Sequence, residues 1–287
     1  MGRHRLLVFS VLLCAATALA GCGRVVSSVT SGVADGLAQG ILNQDDLQLV
    51  ADGVPTYLLM LDGLIESNPS NPHTLLAAAK LYGAYGGTFV TDPDRAKRLT
   101  AKARDYAARG ACISDKSLCE LDKIPFAVFE QRLSAAKSGS TAALYTLATA
   151  WTGWIQTHSA DWNAVADIAK VKALLMAVRE RDPAYDNGGV SLYLGALATI
   201  LPPALGGKPD EGKAFFEQAI ADSDGKNLMA KVLYAERYAR LVFDRDLHDN
   251  LLTDVLAAET KHPGLTLMNT LARQKATDLL ASAEDYF

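Results

Sequence analysis

The side chains able to do chemistry are few and scattered. Histidines stand at His4, His73, His158, His248 and His262, and none of them falls into HExxH or another short metal-ligand spacing. Asp244, Asp246, His248 and Asp249 form the one cluster that joins carboxylates to an imidazole. It stands just before an apolar helical run, where it reads as an N-cap and a solvated acidic turn. No GxSxG, phosphate-cradling GxxxxGKS/T or GxGxxG is present, so neither a nucleophile elbow nor a nucleotide loop is expected. The expectation is a protein that is not an enzyme, with no cofactor and no metal site.

Cysteine chemistry is more informative. Arg3, His4 and Arg5 form a basic n-region, Leu6 to Leu13 an apolar stretch too short to span a membrane, and Leu19-Ala20-Gly21-Cys22 closes the segment. That tetrapeptide matches the bacterial lipobox. The match implies acylation of the Cys22 thiol, cleavage before it and acylation of the new amino group, giving a stable lipid anchor. Residue 23 is Gly rather than Asp, which by resemblance to lipoprotein sorting rules points to the periplasmic side of the outer membrane. Cys14 leaves with the signal, so Cys112 and Cys119 remain. An oxidising compartment makes a disulfide between them the expected state, with two unpaired buried thiols as the alternative. On one continuous helix they would lie about 10 Å apart, too far to bridge, so the bond needs a turn, which Gly110, Ser114, Asp115 and Ser117 can supply. CxxC spacing is absent, and the pair reads as a staple rather than a redox centre.

These residues need a scaffold, and its class is legible. Apolar residues make up 49% of the 287 without sustained period-2 alternation, so the chain is expected to be all-α. A net charge of −4 with mixed signs leaves no footprint for nucleic acid. Three segments follow: a signal peptide at 1–21, a lipidated N-terminus and flexible tether at 22–43, and a helical domain at 44–287. Within the domain, Gln44 to Ala51 reads as a short helix broken at Gly53-Val54-Pro55, and a fresh helix runs from Pro55 to Ser67. Tyr57 to Ile65 is apolar nearly all round, the mark of a helix enclosed by neighbours. Asp92-Pro93 opens a helix with a basic outer face that extends to Gly110. Asp161 to Arg181 reads as one helix, and Ala214, Phe215, Ala219 and Ile220 as the apolar face of a later one.

Four helical hairpins emerge near 73–109, 141–181, 190–222 and 227–259. Their lengths cluster around the 34-residue tetratricopeptide period, with insertions. Ala214-Phe215-Phe216-Glu217-Gln218-Ala219-Ile220 fits the second helix of that repeat and Arg179-Glu180-Arg181-Asp182-Pro183 its ending, although the full signature never stands intact. The expected architecture is a compact superhelix of stacked hairpins with cryptic repeats.

Four runs carry a more specific resemblance: Gly53-Val54-Pro55 with Leu58 to Ile65; Asn68-Pro69 with Leu75-Leu76 and Leu81 to Tyr85; Asp182-Pro183-Ala184-Tyr185; and Leu201 to Gly207. In this order and behind a lipobox, the chain resembles the T-component of tripartite ATP-independent periplasmic (TRAP) transporters, the TatT family of tetratricopeptide lipoproteins. The resemblance implies a helical-repeat fold, a tendency to form homotrimers, a pore suited to a hydrophobic small molecule, and partnership with the transporter's periplasmic substrate-binding protein. Independently, Tyr57, Leu58, Met60, Leu61, Tyr82, Tyr85, Trp151, Trp154 and Tyr193 stand on helices that could line such a passage. Packing within the repeats is the other use of the same side chains. A second functional reading is a scaffold that holds a peptide or protein on its concave face during envelope assembly, without a small ligand.

Overall fold

A computed structural model describes residue 36 and residues 38–287, so Cys22 and the signal segment lie outside the described residues. Residues 38–42, assigned from sequence to the tether, are helical. The Asn43 side-chain oxygen accepts a hydrogen bond from the Gly264 N–H at 2.7 Å, fixing the start of the domain against its last third.

Among the described residues the chain is all-α, with no strand. The first helices are α1 (Leu47–Ser67), α2 (Pro72–Thr88) and α3 (Pro93–Ser114). Their starts follow capping chemistry: the carboxylates of Asp46 and Asp92 and the amide of Asn71 accept the first free backbone N–H groups, with proline at the first helical position of α2 and α3. A short connector leads to α4 (Phe126–Ser134), then α5 (Thr141–Thr157), α6 (Trp162–Ala166) and α7 (Ile168–Arg181). Helices α8 (Tyr185–Ala198), α9 (Pro209–Asp222) and α10 (Leu228–Leu233) follow. A π-helical segment at Tyr234–Ala239, α11 (Arg245–Ala257), α12 (Thr266–Ala281) and α13 (Ala283–Tyr286) complete the domain.

The pairs α2–α3, α5–α7, α8–α9 and α10–α11 are hairpins at the four expected places, and each stacks on the next. Two apolar cores result. One runs from α1 to α8 and the other from α8 to α12. Helix α8 joins them, because Val190, Leu194 and Leu197 face the first while Leu192 faces the second.

Several local expectations need correction. Pro55 does not start a new helix but lies inside α1. The Ala51 carbonyl it leaves without a donor belongs to a partly exposed residue, where water can serve it. Nor is α1 enclosed: Val50, Val54, Leu58 and Ile65 are buried, whereas Leu49, Leu59, Met60 and Leu64 face outward, Leu59 being 72% exposed. The helices surrounded by protein are α5 and α8. Gly110 does not end α3 but lets Leu75 and Leu76 of α2 press against its backbone. In α9 the core aromatic is Phe216, while Phe215 is half-buried. The Asp161–Arg181 segment is two helices divided at Asp167.

One polar contact ties the first three helices together. The Asp62 carboxylate of α1 accepts from the Tyr82 hydroxyl at 2.7 Å, the Tyr106 hydroxyl at 2.8 Å and the Lys102 ammonium at 2.6 Å. Burial pushes the Asp62 carboxyl up, but these donors outweigh it and hold the group below its ordinary value. Burial and the Asp62 carboxylate together push the Tyr82 phenol up to about 12.

Asp62→Ala leaves three donors without their acceptor and is expected to cost about 2–3 kcal/mol in urea unfolding, against about 1 kcal/mol for Tyr82→Phe. Because the folded value for Asp62 is depressed, its contribution is complete above the unfolded pKa of about 3.9 and is lost as pH falls through the folded value. The gap between wild type and Asp62→Ala is therefore expected to close in strong acid. In the second core, a Cβ on Gly195 of α8 would stand 2.8 Å from the fully buried Phe216 ring of α9. Gly195→Val is expected to lower stability by about 1–3 kcal/mol, read as a lower urea midpoint.

Candidate ligand-binding site

Between α3, α5 and the connector after α3 lies a cleft of about 240 Å³. Ala101, Arg104 and Ala108 come from α3, Leu147, Trp151 and Trp154 from α5, and Leu118, Leu121 and Asp122 from the connector. Helical spacing explains the first two walls, since residues three and four apart share a face. The connector is placed by several restraints. Cys112 and Cys119 are joined by a disulfide, and the turn between them is made by Ser114 and Asp115 at the end of α3. Asp115 is buried, and its carboxylate accepts from the backbone N–H groups of Ser117 and Lys137 and from the Ser140 hydroxyl. Burial raises this carboxyl, yet the three donors win and hold it at about 2. Arg132 donates to the Cys119 carbonyl at 3.0 Å and Lys170 to the Asp122 carbonyl at 2.9 Å. Glu120 takes a left-handed conformation, φ 53°, at the turn that delivers Leu121 and Asp122 to the cleft.

Arg104 dominates the electrostatics. Its guanidinium carbon lies 4.1 Å from the centre of the Trp154 ring and 4.7 Å from that of Trp151, within cation–π range of both. Burial pulls the group below its ordinary value, while Asp122 and Asp167 oppose the shift, and arginine stays charged throughout the physiological range. Asp167 stands at the break between α6 and α7, where its carboxylate accepts from the Trp151 indole N–H at 3.2 Å and lies 3.6 Å from the Lys170 ammonium. That break orients Trp151. Asp105, at the cleft margin, pairs with Arg109 at 3.2 Å.

Of the nine apolar and aromatic side chains expected to line a passage, the cleft contains Trp151 and Trp154. Leu58 and Tyr85 are buried in the first core, with Leu61 packed partly buried against it. Tyr82 is held by Asp62. Tyr57 is half-buried and Met60 is 46% exposed on α1. Tyr193 belongs to a separate cluster, where it stands edge-on to Tyr145 at 6.2 Å. There the Tyr145 hydroxyl donates to Asp186 at 2.5 Å. Burial, reinforced by Asp186, pushes the Tyr145 phenol well up and that of Tyr193 to about 12. Asp186, Asn187 and Gly188 are all left-handed, with φ of 56°, 53° and 76°. Among the described residues, no group of three or more His, Cys, Asp and Glu side chains is placed to hold a metal ion.

The residues that sequence reasoning missed are Arg104, Asp122, Asp167 and the three leucines. Arg104 read as one more member of a solvated basic face. Asp122 and Asp167 carried no motif, and only the one-residue break hidden in the apolar stripe of 161–181 could have drawn attention to Asp167.

Comparison with known proteins agrees with this architecture. An uncharacterised protein of Treponema pallidum (strain Nichols) is 26% identical over 263 residues, an alignment spanning 85% of this chain and 81% of that protein. The family model described as TRAP transporter T-component matches residues 43–287, which include every helix of the cleft. With its helical domain matched from end to end, the chain belongs to the TRAP transporter T-component family.

Proposed function

We propose that this accessory component of a TRAP transporter binds a small apolar molecule in the cleft beside Trp151 and Trp154, and exchanges it with the transporter's periplasmic substrate-binding protein. The observation that carries this reading is the cleft itself, a concave site with two indoles and three leucines in its walls and a few polar groups. Its volume, about 240 Å³, falls below the ~300–1,000 Å³ of sites for drug-sized ligands, so the molecule is small. Family membership supports the transporter association. A helical repeat of tetratricopeptide type, anchored through lipid on Cys22 to the periplasmic side of the outer membrane, accommodates both tasks. Binding and handover need no catalytic group.

Protein purified without its lipid is expected to carry a small apolar molecule detectable by native mass spectrometry, and to capture the substrate-binding protein in a pull-down. Absence of both results would overturn the reading. Ala101 lines the cleft yet is exposed, so Ala101→Trp should fill the space without unfolding the protein and reduce uptake at least about tenfold, equivalent to about 1.4 kcal/mol. Unchanged uptake would move the site elsewhere. Replacing Cys112 and Cys119 by serine should cost about 2–3 kcal/mol of stability in thermal or urea unfolding and loosen the Leu118 wall. Cys22→Ala is expected to move the protein from the membrane fraction to the soluble fraction.

A further inference from the structure

Arg104 carries five N–H donors in a planar fork, yet among the described residues it makes no hydrogen bond. Its nearest carboxylates, Asp122 and Asp167, stand 3.8 Å and 3.7 Å away, beyond hydrogen-bond length. The two are not equivalent. Asp167 is engaged by the Trp151 indole and Lys170. Asp122 is 44% exposed, and this loose contact is its side chain's one ion pair among the described residues. The guanidinium thus stands over two indoles at the wall of an apolar cleft, its donors without an acceptor among the described residues and a carboxylate near enough to balance its charge but too far to take its hydrogen bonds.

Ligand charge follows from the same geometry. A cationic ligand would find the indoles occupied by Arg104, and the loosely paired carboxylate of the lining, Asp122, stands 3.8 Å from the same guanidinium, which would repel it. Asp105 is already paired with Arg109, and a dianion would meet Asp122 and Asp167 beside Arg104 and Lys170, two positive groups that two carboxylates already balance. A single planar carboxylate matches the fork in bidentate fashion and displaces only the loose Asp122.

We propose that the cleft takes a small amphipathic monocarboxylate, its head on Arg104 and its apolar part against Leu118, Leu121 and Leu147. This rests on the apolar-ligand reading above and adds the head group to it. Arg104 holds the ligand, and Asp122 acts as a competing internal anion that occupies the neighbourhood of the fork when the cleft is empty.

The test compares three probes of equal chain length, octanoate, 1-octanol and octylamine, by calorimetry and by tryptophan fluorescence. Trp151 and Trp154 report on the cleft, while Trp162 is 67% exposed outside it. Octanoate is expected to bind about tenfold or more tighter than octanol, and octylamine more weakly than either. Arg104→Gln should lose the preference for octanoate over octanol, with an unchanged far-UV circular dichroism spectrum showing that the variant is folded. Asp122→Asn should raise the preference for octanoate over octanol a few-fold. Equal binding of octanoate and octanol to the wild type, or a preference retained by Arg104→Gln, overturns the carboxylate proposal and leaves the apolar-ligand reading standing. Failure of all three probes to bind overturns both.

Discussion

A guanidinium held against two indole faces, largely out of water, is the interaction around which the first half of this molecule is arranged. A charge in that position needs compensation, and none comes from its own helix. Asp122 is supplied by a connector tied down through a disulfide, a buried aspartate and two cationic side chains that grip its carbonyls. Asp167 is supplied by an interruption in what would otherwise be one long helix. Both irregularities deliver a carboxylate to Arg104, and both border the one cleft described here.

The helices around it are placed by a different logic. Asp62 gathers three donors from α2 and α3 and so sets α1 against the hairpin that carries Arg104. On the other side Tyr145 of α5 donates to Asp186 at a kink of three left-handed residues in the first turn of α8, which then passes between the two cores. Left-handed non-glycine residues are costly, and here Gly188 and Gly189 give room where the chain presses closest to α9 and Tyr145. The cleft is thus held between two polar anchors set into the apolar stacking. In a repeat array each unit touches only its neighbours, so anchors of this kind fix angles that side-chain packing alone would leave loose.

The outward face of α1 is apolar and exposed among the described residues. Its Leu49, Leu59, Met60 and Leu64 are exposed while the opposite side of the same helix is buried. The helix is apolar on both faces, but only one of them packs against the described residues.

Class, hairpin positions and capping were readable from periodicity, because helical spacing and Asp, Asn and Pro signals act within a few residues of each other. Asp92-Pro93 and the four hairpin spans show this directly. The family could be read as well, since its runs are local words in a fixed order. Which apolar helix ended up enclosed could not: Tyr57 to Ile65 and Leu192 to Leu201 have similar composition, and only the order of stacking exposes one side of the first and surrounds the second. For the same reason Trp151 and Trp154 could be named as candidates while Arg104, Asp122 and Asp167 could not. Those three meet from separate elements, the last 63 positions along the chain from the first, and a site assembled by packing leaves no spacing to read. Tertiary structure alone decided that a basic residue on a seemingly solvated face would turn inward onto two indoles.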